Sequence, residues 1–338
     1  MKSFKITDKG KCGFFEIEKP DLKDGEVLVQ VKKVGYCGSD LNTFRGINPL
    51  VSYPRIPGHE LSGIIAEVGE NVPTHIKIGI QAAITPQTAC GECSSCKNGR
   101  PNACRYNETL GVQRDGALTE FIAVPWQKLV IDDTLNLTKL ALLEPLAVGF
   151  HASKRGCVKK GDKVVVLGCG VIGIGAIAGS AYREAEVIAV DLVDEKLENA
   201  KIAGAKYVIN SSKQNVHECL EEITNGHGPD VIIEAAGNPI TFKLAVDEIS
   251  FTGRIVYIGY TPEPVSYETK YFVLKELDIR GSRGSEKEDF EQVLNAVKEG
   301  KINPEQIVSH TFPFDQSDKA IKIWDQDPSK VSKIVIEF

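Results

Sequence analysis

Two groups of residues in this chain have the types and spacing to hold a metal ion, and a third has the spacing to cradle a phosphate. Cys90, Cys93, Cys96 and Cys104 put four thiols within 15 residues, on a stretch whose Gly91, Gly99 and Pro101 argue against a regular helix. Thiolates favour zinc, and four of them closing a tetrahedron leave no position for a substrate, so the expected role is structural. Four unrelated buried cysteines are the plain alternative, but nine in 338 residues make such a grouping by chance a weak account. An iron–sulfur cluster is the sharper rival. Against it, the last gap is seven residues and no proline follows the fourth cysteine, unlike the ferredoxin run.

The second group is scattered. Cys37 stands in Gly35-Tyr36-Cys37-Gly38-Ser39-Asp40, His59 and Glu60 in Pro57-Gly58-His59-Glu60, and Glu144 in Leu143-Glu144-Pro145-Leu146. A thiolate, an imidazole and a carboxylate make three protein ligands with a fourth position free, the arrangement of a catalytic zinc site. Taken singly each is weak, because an isolated cysteine is more often a small core residue and an isolated histidine more often a hydrogen-bonded or surface one. Their order around the four-cysteine stretch and the motif that follows is what joins them.

That motif is Gly168-Cys169-Gly170-Val171-Ile172-Gly173, entered from the apolar run Val164 to Leu167 and followed by a Gly/Ala-rich helical stretch to about Tyr182. Glycines there allow a tight turn and let backbone amides approach a pyrophosphate at the positive end of the helix. Asp191 closes the next strand, where an acid can accept from both ribose hydroxyls and would repel a 2′-phosphate, which favours NAD over NADP. Ala236 and Gly237, Ile258 and Gly259, and Ser282 and Arg283 end the fourth, fifth and sixth strands of the unit. Ligands of open parallel sheets lie outside the carboxyl ends of the strands, so these turns are expected to border the nicotinamide and its ribose, unless they are small for chain geometry only.

The elements that must position these groups fall into two textures. Residues 1 to about 145 are short strands broken by Gly and Pro, such as Glu26 to Val31 and Gly63 to Gly69. From about Lys163, apolar strands alternate with helical stretches: Lys163 to Leu167, Glu186 to Val190, Tyr207 to Ile209, Asp230 to Glu234, Gly253 to Ile258 and Leu277 to Arg280. That alternation predicts a parallel sheet with crossover helices. An amphipathic helix over Lys287 to Glu299 and a closing strand over Lys333 to Phe338 are expected last, the strand returning to the first domain.

Composition narrows the partners. A length of 338 residues fits two domains, and 42% hydrophobic with 25% charged residues is ordinary globular usage. No apolar run reaches the roughly 20 residues of a membrane span, and the first residues lack the core of a signal peptide, so a cytoplasmic protein is expected. A net charge of −6 argues against nucleic acid and anionic membrane as partners, since either needs a basic face. An odd number of cysteines without an export signal points to a reducing compartment.

With these residues in place, the chain resembles the zinc-containing medium-chain alcohol dehydrogenases over essentially its whole length. The resemblance implies an α/β fold: a GroES-like β-rich catalytic domain over 1–146 and 284–338, and a doubly wound Rossmann domain over 147–283, with the active site between them. It implies Cys37, His59 and Glu144 as ligands of a catalytic zinc, with Glu60 coordinating directly or standing behind the metal, and a second, structural zinc on the four cysteines. Glutamate at 144 is similar to the polyol branch, which includes sorbitol, threonine and sugar-acid dehydrogenases. The segment Asn48 to Arg55 and Gly281-Ser282-Arg283 look most like dehydrogenases acting on hexonates at the 5-position.

The implied reaction is oxidation of a secondary alcohol, the zinc acting as a Lewis acid, Ser39 taking the hydroxyl proton and NAD the hydride. Asp40 is expected either to orient His59 or to cap a turn. One departure is Asn42, where the family often carries a proton-relaying histidine; Asn does not ionise, so another route is needed. The resemblance also implies a homodimer or homotetramer. The competing readings are a threonine or butanediol dehydrogenase, a zinc-free quinone or enoyl reductase, which needs neither metal set, and a non-catalytic NAD-binding redox regulator that uses the cysteines structurally.

Overall fold

A computed structural model describes all residues from Met1 to Phe338. The chain divides into two units, the first made of 1–144, 286–294 and 304–338, the second of 145–285 and 295–303. The return to the first unit is therefore interrupted: 295–303, expected with the rest of the tail, groups with the second unit instead. No helix is long and apolar enough to cross a membrane.

The first unit opens with β1 (Lys2–Asp8), β2 (Lys11–Glu16), β3 (Glu26–Tyr36), β4 (Glu60–Val68), β5 (Gln81–Ile84), β6 (Phe121–Pro125) and β7 (Leu129–Ile131). The second holds β8 (Lys163–Leu167), β9 (Glu186–Asp191), β10 (Tyr207–Asn210), β11 (Val231–Glu234), β12 (Arg254–Tyr257) and β13 (Asp278–Gly281). After them β14 (His310–Pro313) and β15 (Ile334–Glu337) rejoin the first unit.

In the first unit a seven-stranded sheet runs β14-β15-β3-β4-β5-β7, with β6 paired to β3. The closing strand β15 lies antiparallel to β3, Ile334 opposite Tyr36 and Glu337 opposite Lys33. Strand β3 continues five residues beyond the expected Val31. The two consecutive lysines at 32 and 33 break its period-two pattern, and the ladder absorbs them in a register shift between Val31 and Lys33. Strand β4 likewise starts at Glu60, three residues early, which puts His59 and Glu60 at the mouth of the strand. The core between these layers includes Phe4, Ile6, Val29, Tyr36, Leu61 and Ile65.

The second unit is a six-stranded parallel sheet in the order β10-β9-β8-β11-β12-β13. Strands covered on both faces carry near-continuous apolar runs, as in Val164 to Leu167 and Val231 to Ile233, all buried. The order reverses direction between β8 and β11, which makes the carboxyl ends of those two strands the switch point where such sheets bind ligands.

Candidate metal and cofactor sites

In the first unit, Cys37 sits between β3 and the helix Gly38–Phe44, as the helix N-cap in extended conformation. Asp40, three residues on, accepts the Cys37 N–H at 2.8 Å through one oxygen and the Gly58 N–H at 3.3 Å through the other. A buried carboxylate thereby ties the backbone that carries Cys37 to the backbone that carries His59. Of the two roles expected for Asp40 this is the capping one, extended to a second segment. Gly58 has φ +99°, and a Cβ there would come within 2.8 Å of Val34 and 3.3 Å of the Leu118 amide, so only glycine lets the chain deliver His59 at this point.

The ligand atoms of Cys37, His59 and Glu60 all lie within 4.8 Å of one another. His59 and Glu60 are buried, and Nδ1 of His59 has no hydrogen-bond partner. Burial would lower the His59 pKa, but the charge of Cys37 and its hydrogen bond, then Asp40 and Glu144, carry it well above the ordinary value. Glu144 stands outside the close set but is buried within electrostatic reach of His59, Glu60 and Asp40; burial pushes its carboxyl up to about 7 against the pull of His59. The hydroxyl of Ser39, also buried, has no partner. A soft thiolate, an imidazole with an orphaned nitrogen and adjacent carboxylates form a donor set that fits zinc.

One participant was not anticipated. Lys333, just before β15, is buried and its Nζ lies 2.7 Å from both oxygens of Glu60 and 3.1 Å from the carbonyl of Tyr36. Space for this pair comes from Gly35, opposite Glu60 in the ladder: a Cβ there would fall 2.2 Å from Glu60 Oε2. A lone lysine preceding an Ile/Val-rich strand was the only sequence signal. The segment Asn48 to Arg55 supports the same helix from outside: Asn48 Nδ2 donates to the Ser39 carbonyl at 3.3 Å and the Tyr53 hydroxyl donates to the Thr43 carbonyl.

The four-cysteine site is also in the first unit. Its sulfurs lie 3.6 Å apart for Cys93 and Cys96, 3.8 Å for Cys93 and Cys104, and 3.6 Å for Cys90 and Cys104. Four thiolates at about 2.3 Å from one tetrahedral zinc stand about 3.8 Å from each other. The loop thus fits a single ion, not a cluster whose irons each take a separate thiolate. Amide N–H groups of Cys93, Cys90 and Tyr106 point at sulfurs of Cys90 and Cys104 at 3.3–3.4 Å, which stabilises thiolates. No regular helix runs through the stretch: it holds two single turns, Ser94–Lys97 between Gly91 and Gly99 and a 3-10 turn over Pro101–Ala103.

In the second unit the three glycines do different work. Gly168 leaves β8 at φ +94°, and a Cβ would meet Ala236 at 2.9 Å. At Gly170, the N-cap of helix Val171–Tyr182, a Cβ would meet nothing within 4 Å, so the space above the helix end is open. At Gly173 it would fall 1.9 Å from the Gly168 carbonyl, which is the close approach of helix to strand. Asp191 is fastened by the amides of Leu192 at 2.7 Å and Val193 at 3.1 Å on one oxygen and of Cys169 at 2.8 Å on the other, leaving one lone pair on the oxygen that Cys169 bonds. A glycine turn, an open helix end and an adjoining acid fit a dinucleotide. Ala236 and Gly237 follow β11 and Ile258 and Gly259 follow β12, next to the switch point. Ser282 and Arg283 follow β13, one strand further out; the Ser282 hydroxyl is buried without a partner.

Residues 23–132 match the alcohol dehydrogenase GroES-like domain and residues 171–299 the zinc-binding dehydrogenase domain. The starvation-sensing protein RspB of Escherichia coli K12 is 36% identical over 100% of this chain and 99% of its own. The L-galactonate-5-dehydrogenase of the same organism is 33% identical, covering 88% of this chain and 87% of its own. Among solved structures, RspB from E. coli CFT073, an alcohol dehydrogenase crystallised with NADH, superposes with a TM-score of 0.92 at 34% identity, covering 100% of this chain and 99% of that one. Fold and sites together are those of a zinc-binding dehydrogenase made of a GroES-like and a Rossmann-type unit. The chain belongs to the zinc-type medium-chain alcohol dehydrogenase family, and is an oxidoreductase of that family.

Proposed function

We propose that this protein interconverts a secondary alcohol and a ketone on a polyol or sugar acid, with zinc at the mixed-donor site and NAD as hydride carrier. The observation that carries this reading is the buried set of Cys37, His59 and Glu60 donor atoms, with an unpartnered Ser39 hydroxyl two residues from the thiol. Zinc, when bound, supplies Lewis acidity to a substrate hydroxyl, and NAD accepts the hydride. The chain's own residues do the rest. Cys37 and His59, with Glu60 or Glu144, hold the metal; Asp40 fixes the two ligand-bearing segments; Lys333 orients Glu60 through both of its oxygens. Ser39 Oγ takes the hydroxyl proton. With Asn42 in place of an ionisable side chain, that proton goes on through water or the ribose hydroxyls.

Asp191 supports NAD over NADP, because a 2′-phosphate would meet an acid already held in place by three amides. The similarity to an L-galactonate-5-dehydrogenase supports the sugar-acid class. Self-association belongs to the same proposal. It is supported by the resemblance, by the position of β13 at the end of its sheet, and by exposed Val273 and Leu274 in the helical turn Lys270–Leu274 that precedes it in the chain. Sedimentation velocity reads it directly, and a monomer at micromolar concentration removes it.

The test is a screen of polyols, hexonates, threonine and butanediol for NADH formation, paired with metal analysis. About two zinc per chain and turnover of polyols or hexonates are expected. One zinc without turnover favours a binding protein, none favours a reductase, and a preference for threonine or butanediol overturns the substrate class.

A further inference from the structure

Strand β11 ends in an acid that its surroundings do not call for. Val231, Ile232 and Ile233 are apolar and buried, and Glu234 is buried with them at 0% exposure. Desolvating a carboxyl group is costly, so its partners indicate its role. Its Oε1 accepts from the amides of Ala236 at 2.9 Å and Gly237 at 2.8 Å, and from the Thr241 hydroxyl at 2.7 Å. Its backbone carbonyl accepts from the amides of Ile258 at 2.9 Å and Gly259 at 3.1 Å, just beyond β12. Its Oε2 has no partner and is closed in by Gly259, where a Cβ would lie 2.5 Å from it.

One residue thus gathers the turn after β11 and the turn after β12. Those turns meet the glycine loop at the switch point, since a Cβ on Gly168 would stand 2.9 Å from the Ala236 amide. The crevice then has two acids on opposite sides of β8. Asp191 ends β9 and serves the adenosine side, and Glu234 ends β11 and serves the other.

We infer that Glu234 is a positioning residue for the nicotinamide half of the cofactor, its side chain fixing the Ala236–Gly237 turn against the Ile258–Gly259 turn that its backbone carbonyl holds, the two forming one wall of the crevice. This rests on the NAD reading above. With Oε2 walled off, Glu234 touches no part of the cofactor and acts through the backbone it holds. The adenosine half, seated beside Asp191, does not depend on it.

Separate titrations with NADH and with ADP-ribose, which lacks the nicotinamide, test the inference. Glu234→Ala should raise the dissociation constant for NADH about tenfold or more and leave that for ADP-ribose within about twofold. Glu234→Gln keeps an acceptor at Oε1 and should restore NADH binding to within about threefold of wild type. Should Glu234→Ala not fold, Thr241→Val removes one of the three donors near the start of the helix Pro239–Glu248 and should give the same split, about threefold on NADH. Equal losses for both ligands, or unchanged NADH binding in the variants, overturn the inference. Wild-type protein that binds neither ligand would instead remove the NAD reading, and this inference with it.

Discussion

The two cysteine-bearing metal sites of the first unit are built in opposite ways. The four-thiol loop is local: 15 residues supply every donor, and Cys90 is exposed to solvent. The mixed-donor site draws Cys37, His59, Glu60 and Glu144 from three segments and buries its acids, with a lysine from position 333 among them. A closed tetrahedron of like donors stabilises the fold and offers a substrate nothing. A buried set of unlike donors holds charges that the fold must compensate, and it leaves a position open. On the proposed function, local closure goes with structure and long-range assembly with chemistry.

The largest expected effects separate the two sites. Cys37→Ser and His59→Ala should each lower kcat by about 10³-fold or more, remove one of two metals per chain, and leave NADH binding intact. Turnover retained in either variant would remove the mixed-donor site from catalysis. Cys104→Ala should remove the other metal and lower the melting temperature markedly, because structural metal binding is part of folding free energy, while kcat per folded molecule stays within about tenfold. If Cys104→Ala and Cys37→Ser gave the same profile, the contrast between the sites would be lost.

Next in size is the buried ion pair. Lys333→Met leaves the Glu60 carboxylate buried without its cation and should cost about 3–5 kcal/mol in urea unfolding. Burial pulls the Lys333 pKa down, but Glu60 and then Cys37 carry it above the ordinary 10.5. A pKa raised on folding contributes stability that is complete below the unfolded value and lost as pH rises through the folded one. The difference between wild type and Lys333→Met should therefore not shrink from about pH 6 to 9, and should widen above about 7, where the Glu144 carboxyl of the variant lacks the lysine charge that helps to lower it. A difference that shrinks within that range would mean the lysine titrates there, contrary to the pairing.

How much of this was legible in the sequence follows the same division. The four cysteines could be read directly, since their spacing is their geometry. The inner strands of the second unit, β8, β9 and β11, could be read as well, because strands buried on both faces are continuous apolar runs. The start of β4 was harder: Pro57-Gly58 looks like a turn, and only the pairing of Glu60 with Gly35 makes it strand. Lys333 and Glu60 are 273 residues apart, and nothing in either neighbourhood names the other. Glu234 was visible as a polar residue closing an apolar strand, but its meaning depends on amides that only the folded turn presents.

Two smaller effects sharpen the comparison further. Asp191→Ala should shift the NAD to NADP preference by about tenfold toward NADP, read from the ratio of kcat/KM values. An unchanged ratio would leave the acid as a clasp for the Cys169 amide and nothing more.

The smallest concerns the thiols of the local site once its metal is stripped by chelator. A hydrogen bond from the Ser95 hydroxyl, and backbone amides after it, lower the Cys93 thiol to about 5, whereas burial raises Cys96 to about 11 and the Cys169 thiol of the glycine turn to about 12. The thiolate is the nucleophile, so at neutral pH Cys93 should alkylate ahead of both, and its labelling should fall only as pH drops through about 5. Ser95→Ala removes the largest of those influences and should slow labelling at pH 6 about twofold, as expected for one hydrogen bond to a charged acceptor. Peptide mapping after iodoacetamide treatment resolves the three cysteines. Uniform labelling of the loop, or labelling of Cys93 that rises only in alkaline solution, would show that the loop does not hold a thiolate ready for metal.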